Sequence, residues 1–307
     1  MEKVGFLLKT YRDDFDYCKR LIKSFLAHNI DQIPLYIVVP TTDLPLFNCF
    51  SGKGITLLSD ESITDTFAKT EINGIRPGYI NQEIIKLAFW ETRLCENYLC
   101  LDSDGIFVRD FFISDLMYDH NTPYTLLVED NELMVEPEYY NTHWQPRLEH
   151  IRKIQTLIGL PEKRILTCHG FAILSAKVLA SFKEKYLLPK SQTYLDILKD
   201  SPYEFSWYNL WLQYDKTIDI HIREPLFKYF HHKNHHIEYL FRGIQLSDVA
   251  RGYMGITINS NYSRGFGVVS FETDKNQVLA NYLPMKDILN ILFYKVKQRV
   301  FSSFIKP

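Results

Sequence analysis

The sequence contains no apolar run of ~18 residues, the length a helix needs to cross a bilayer, so no membrane span is expected. Its N-terminus, M-E-K-V-G-F-L-L-K-T, carries an apolar stretch too short for a secretory signal. Cysteine is sparse. Cys18, Cys49, Cys95, Cys100 and Cys168 are odd in number and form no C-x-x-C pair, so neither a disulfide framework nor a structural zinc site is expected, and a reducing cytoplasm fits. A net charge of -2 gives no bulk positive field, which speaks against a nucleic-acid partner. There is no internal repeat, low-complexity linker or long block of like charge.

What is present is a globular composition. Apolar residues make up 46% and charged residues 23% of 307 positions, enough to bury a sizeable core in one large or two modest domains. The 20 Tyr and 21 Phe suit a stacking site for sugar or base, although core packing accounts for most such residues. Val4 to Leu8 reads as a first strand, Thr10 to Asp14 as a polar loop, and Phe15 to His28 as a helix with Phe15, Cys18, Leu21, Ile22 and Phe25 on one face. Strands over Leu35 to Val39 and Ile55 to Leu58 follow, giving the β-α-β-β opening of a Rossmann-like half. A helix is expected over Asn81 to Cys95 and strands over Tyr98 to Leu101, Ile106 to Val108, Thr125 to Val128 and Gly170 to Leu174. Further helices are expected over Pro146 to Ile158, Ala176 to Tyr186, Tyr194 to Leu198 and Phe205 to Tyr214.

The most informative segment is N-Y-L-C-L-D-S-D-G-I-F-V-R-D-F, Asn97 to Phe111. An apolar strand runs into Asp102 and Asp104. In an extended chain, residues two apart share a face, so both carboxylates are expected to project from the strand end towards one point. Two hard oxygen ligands there suit Mg2+ or Mn2+ carrying a diphosphate. The position also suits a ligand, because open α/β sheets bind at the carboxyl ends of their strands. Two solvated turn aspartates are the plainer alternative.

A longer pattern supports the first reading. Gly78, Tyr79, Gln82, Lys86 and Leu87 precede Leu101, Asp102, Asp104, Phe107, Val108 and Arg109. In these residues the sequence resembles bacterial GT-A-fold glycosyltransferases with a D-x-D motif, of the kind found in capsule, O-antigen and lipooligosaccharide biosynthesis. The match is tight over about 35 residues and holds elsewhere only in order and spacing. The resemblance implies an α/β fold with a mixed central sheet. A single domain over 1–283 would comprise a nucleotide-binding half (about 1–130) and an acceptor half (about 131–283). It implies a metal-dependent enzyme that moves a sugar from a nucleoside-diphosphate donor, UDP-sugar favoured, to a saccharide or lipid-linked saccharide.

Roles follow as implications of that resemblance. Asp102 and Asp104 would hold Mn2+ or Mg2+, and His232, from the cluster His231, His232, His235 and His236, would complete the shell. Thr10, Arg12, Tyr79, Gln82, Lys86, Ser103 and Arg264 would bind the donor. Gln82 and Lys86 share a helix face, with Lys86 suited to neutralising phosphate. Arg109 would pair with Asp110 or order the loop. His169 and Trp207 would face the acceptor. Related enzymes often carry S-E-Y where this chain has Ser206-Trp207-Tyr208, so the general base is open. Glu204 is the first candidate for an inverting reaction, Glu129 and Asp130 the others, and a retaining reaction needs no such base.

Two other readings remain. A sugar nucleotidyltransferase would carry a glycine-rich G-x-G-x-R loop after the first strand, and Lys9-Thr10-Tyr11-Arg12 has no glycine. A degenerate GT-A domain acting as a binding or assembly partner is consistent with the missing glutamate but not with an intact D-x-D. Finally, residues 284–307 read as a basic amphipathic helix. Ile288, Leu289, Ile291, Leu292, Phe293, Val296, Val300, Phe301 and Phe304 mix with Lys286, Lys295, Lys297, Arg299 and Lys306, the pattern of a segment lying on an anionic membrane or packed on its own domain. The expected location is the cytoplasm, peripheral to the inner face of the membrane.

Overall fold

Val4, Phe6, Leu7 and Leu8 are buried on both sides of their strand, as a central parallel strand requires. The computed structural model describes residues 1–129, 134, 140–161, 166–168, 170–230, 244, 246–258, 289, 292, 293 and 296. Strands β1 (Glu2–Lys9), β2 (Leu35–Val39), β3 (Ile55–Ser59) and β4 (Cys95–Leu101) run parallel. With β6 (Ile173–Ser175) they form one sheet in the order β3-β2-β1-β4-β6, in which β6 is antiparallel to β4. A second sheet is built from β5 (Gly105–Phe107), β7 (Phe227–Phe230) and β8 (Gly255–Ile258), with β8 central, parallel to β7 and antiparallel to β5. The fold is thus α/β with a mixed central sheet, as expected from the sequence.

The helices cover both faces of the larger sheet. Helix α1 (Phe15–His28) has the expected bounds because its apolar period is regular. Its Cys18, Leu21, Ile22 and Phe25 meet Phe6, Leu8, Ile37 and Val39 on one face of the sheet. Phe25 and Phe107 both touch Phe6 edge-on, with centroids 5.2 Å and 5.8 Å away. The other face is covered by α2 (Pro77–Ala88), α3 (Gln145–Ile158), α4 (Ala176–Phe182), α5 (Tyr194–Asp200) and α6 (Glu204–Asp215). Trp144, Trp207 and Tyr208 fill the centre of that layer.

Helix α2 begins and ends earlier than the expected 81–95. Pro77 stands in its first turn, where its missing N–H costs nothing, and Arg93 at φ 58° turns the chain into β4. Helix α4 likewise gives way after Phe182 to a wider turn over Lys183–Leu187.

Helix α5 carries a reciprocal cap. Thr193 accepts from the Asp196 N–H, and Asp196 accepts from the Thr193 N–H. The Lys199 ammonium and the Thr193 donors hold the Asp196 carboxyl down at about 2, against 3.8 unfolded. A depressed carboxyl stabilises the fold above its unfolded pKa, and that contribution is lost as pH falls from 3.8 towards 2. Thr193→Ala should cost about 1 kcal/mol in urea denaturation at neutral pH. Asp196→Asn should flatten the acid limb within that window.

Candidate functional site

Leu101 closes β4 and Gly105 opens β5, so Asp102-Ser103-Asp104 is the whole link from β4 in one sheet to β5 in the other. The chain must change sheets there, and it does so in a turn: the Gly105 N–H donates to the Asp102 carbonyl at 3.1 Å. The two carboxylates therefore do not share a face by strand alternation, as the extended reading supposed; the turn sets their directions. Ser103 is buried in the turn, and its Oγ donates to Asp14 Oδ2 at 3.0 Å. A Cβ at position 105 would sit 3.3 Å from the Asp102 carbonyl oxygen, which explains a small residue directly after the motif.

Helix α2 brings its polar face up to Asp102. Gln82 Nε2 donates to Asp102 Oδ1 at 3.2 Å, and Lys86 Nζ lies 3.4 Å from the same oxygen. The Asp102 side chain is 40% exposed, whereas that of Lys86 is 4% exposed. Lys86 thus lies beneath the aspartate rather than at the surface. This corrects the expectation that it meets phosphate directly; its charge acts through Asp102.

Lys86 is a hub. It donates to Glu204 Oε1 at 3.0 Å and lies 3.3 Å from Glu83 Oε2, both carboxylates being buried. Burial by itself would lower the lysine, but Asp102, Glu204 and Glu83 outweigh it and hold the ammonium well above its usual range. Burial and then the charge of Glu204 push Glu83 well above the usual carboxylate range, so Glu83 is the protonated member and donates to Glu204. Burial opposes ionisation of Glu204 too, but Lys86 and the bond from Glu83 prevail and hold it low.

Glu204, at the first turn of α6, is therefore an ionised partner of Lys86 with no exposed face, which removes the geometry for a general base. Trp207 is fully buried, donates through Nε1 to the Ser201 carbonyl at 2.9 Å and packs near Phe182 and Tyr186. It has no surface to offer an acceptor sugar. Its place in α6 is a core place, and this is why the chain carries tryptophan there. Tyr79 lies at the start of α2, where burial and nearby Glu83 and Glu204 raise its phenol.

Thr10 and Arg12 lie at the carboxyl end of β1, the same sheet edge as Asp102. Thr10 is 2% exposed, and its Oγ1 has no hydrogen-bond partner among the described residues. Arg12 is held by Asp43 through both its backbone N–H (2.9 Å) and its Nε (2.8 Å), while its side chain stays 60% exposed. Arg109 orders the loop after β5 by pairing with Asp115 at 2.9 Å, and it donates to the Asp110 carbonyl rather than to that carboxylate.

Glu129 ends a two-residue strand, Val128–Glu129, that pairs with Leu166–Thr167. Asp130, His169, His232 and Arg264 lie outside the described residues. Two further groups of the site were not singled out in the sequence. Glu83 could have been found from its i,i+3 spacing to Lys86. Arg147, 4.2 Å over the Tyr203 ring and bonded to Ser206, has no local signal.

The donor set fits a divalent cation in part. Among the described residues no three His, Cys, Asp or Glu side chains converge to hold an ion. Asp102 and Asp104 would supply two carboxylates, which Mg2+ and Mn2+ accept because they retain water and substrate phosphate as ligands.

A family model described as "Family of unknown function (DUF6492)" matches residues 3–240. No curated protein matches the chain. Among solved structures, apo mouse xyloside xylosyltransferase 1 superposes with a TM-score of 0.47 at 10% identity, covering 85% of this chain and 99% of its own. The apo bifunctional glycosyltransferase WbbM gives 0.43 at 12% identity, covering 83% of this chain and 45% of its own, so this chain spans less than half of that protein.

Proposed function

The chain belongs to the DUF6492 family, and from its site we propose a metal-dependent glycosyltransferase. It moves a sugar from a nucleoside-diphosphate donor, UDP-sugar favoured, to a saccharide or lipid-linked saccharide acceptor in bacterial surface polysaccharide synthesis. The observation that carries this reading is the half-exposed Asp102 at the end of β4, its Oδ1 held by Gln82 and Lys86 at the joint between two sheets.

Each residue contributes a definable step. Gln82 and Lys86 fix the position of the Asp102 carboxylate. Ser103, tied to Asp14, fixes the turn that aims Asp104. Thr10 and Arg12, at the same edge, would receive the nucleoside. The divalent ion held by Asp102 and Asp104 would supply charge to stabilise the departing nucleoside diphosphate. With Glu204 engaged by Lys86, the deprotonating carboxylate of an inverting reaction falls to Glu129 or Asp130; a retaining reaction needs none.

The test is incubation of the protein with Mn2+ and a panel of nucleotide sugars, with released nucleoside diphosphate measured by chromatography. Release from one donor class, abolished by chelation, is expected. No release from any donor, with saccharide acceptors present, would favour the non-catalytic binding partner.

We further propose peripheral membrane contact through the C-terminal segment. Leu289, Leu292, Phe293 and Val296 are helical, spaced i, i+3, i+4, i+7, and 59%, 45%, 74% and 58% exposed. No helix among the described residues is long and apolar enough to cross a membrane. Co-sedimentation with anionic but not zwitterionic liposomes is expected, and Phe293→Asp should abolish it.

A further inference from the structure

Helix α2 also borders a groove on the side away from Asp102. Gln82 and Lys86 point at Asp102, whereas Ile84 and Ala88, roughly half a turn away around the helix, line this groove. That groove encloses about 480 Å³, within the roughly 300–1,000 Å³ typical of small-molecule sites. Its far wall comes from the segment after α4 and the start of α5.

Its chemistry is amphipathic. Exposed Leu188 and part-buried Ile63 give it apolar surface above the buried Ile84, Ala88 and Leu187. The charged rim holds Glu61, Asp65 and Glu91 against Lys183 alone, and Lys183 is already paired with Glu91 at 2.6 Å. Three carboxylates facing one engaged ammonium disfavour phosphates and nucleotides. Gln192 Oε1 accepts no hydrogen bond among the described residues, and its soft terminal torsion can turn that acceptor into the groove. Acceptor oxygens around an apolar surface suit a neutral ligand with many hydroxyl donors and one apolar face.

We propose that this groove is a saccharide-binding site, separate from the Asp102 centre, that takes a neutral oligosaccharide. The proposal does not rest on the transferase reading, and either can fail without the other.

Saturation-transfer NMR of the full chain tests it, with lactose, maltose and cellobiose as probes and putrescine and inorganic phosphate as charged controls. At least one disaccharide should give signal, and Asp102→Asn should leave it unchanged. Gln192→Leu should weaken binding about fivefold, the effect of one lost hydrogen bond. Ser62→Trp, at the exposed rim, should block the groove and keeps the test valid if Gln192→Leu fails to fold. Silence from all three sugars, equal binding by Ser62→Trp, loss in Asp102→Asn, or preference for putrescine or phosphate would each overturn the proposal.

Discussion

Lys86→Met should lower the melting temperature by on the order of 10 °C, because removing one partner of a buried ion cluster typically costs about 3–5 kcal/mol. The Lys86 ammonium is the nearest cation to Glu83, Glu204 and Asp102, and the first two are buried. Methionine matches the length of the lysine stem, so packing against the Phe205 ring, over which the ammonium sits at 4.9 Å, is largely kept. The loss is therefore electrostatic.

Glu83→Gln provides the contrasting case. Glu83 is raised in the fold above its unfolded 4.5, so it favours the folded state below that pH, and this contribution is lost as pH rises. Glutamine keeps a donor for Glu204 and binds no proton. The melting temperature of Glu83→Gln should gain on that of the native protein as pH rises from 5 to 8, followed by circular dichroism. A Lys86→Met protein as stable as the native one would show that the cluster is not held by this lysine.

Asp102→Asn should reduce release of nucleoside diphosphate at least about a hundredfold while lowering the melting temperature without ligand by less than Lys86→Met does. Asparagine is isosteric and can still accept from Gln82, the side chain is 40% exposed, and Glu83 and Glu204 remain beside the buried Lys86. What it loses is a hard anionic ligand. The pair of measurements separates a site defect from a folding defect, and a variant as active as the native protein would remove Asp102 from the reaction.

Much of this was legible in the sequence, and particular residues show why. Helix α1 has the bounds its apolar period indicates because one face packs on the sheet along its length, and β2 has those of its continuous apolar run, which is buried on both faces. The start of α2 was misjudged although Pro77 marks a first helical turn. The strands β7 and β8 were not anticipated. Both are four residues long, and their identity as strands depends on pairing with each other and with β5. For the site, Gln82, Lys86, Asp102 and Glu204 were each singled out, and the fold brings them together.

What the sequence did not carry was burial and direction. Glu204 stands 118 positions from Lys86, so nothing local shows that it is consumed by an ion pair. Trp207 reads as an available aromatic until the layer around α6 closes over it. The turn at Ser103 follows from the second sheet, whose partners come from the far end of the chain.

The most direct test of the metal-held diphosphate is a thermal-shift titration of UDP, GDP, CMP and their sugars, with and without Mn2+, on the native protein and Asp102→Asn. A ligand that binds only the folded state raises the melting temperature. A rise with UDP or a UDP-sugar that requires Mn2+ and vanishes in Asp102→Asn is the expected result. A nucleotide shift that is indifferent to Mn2+ and to Asp102, or no shift at all, would contradict it.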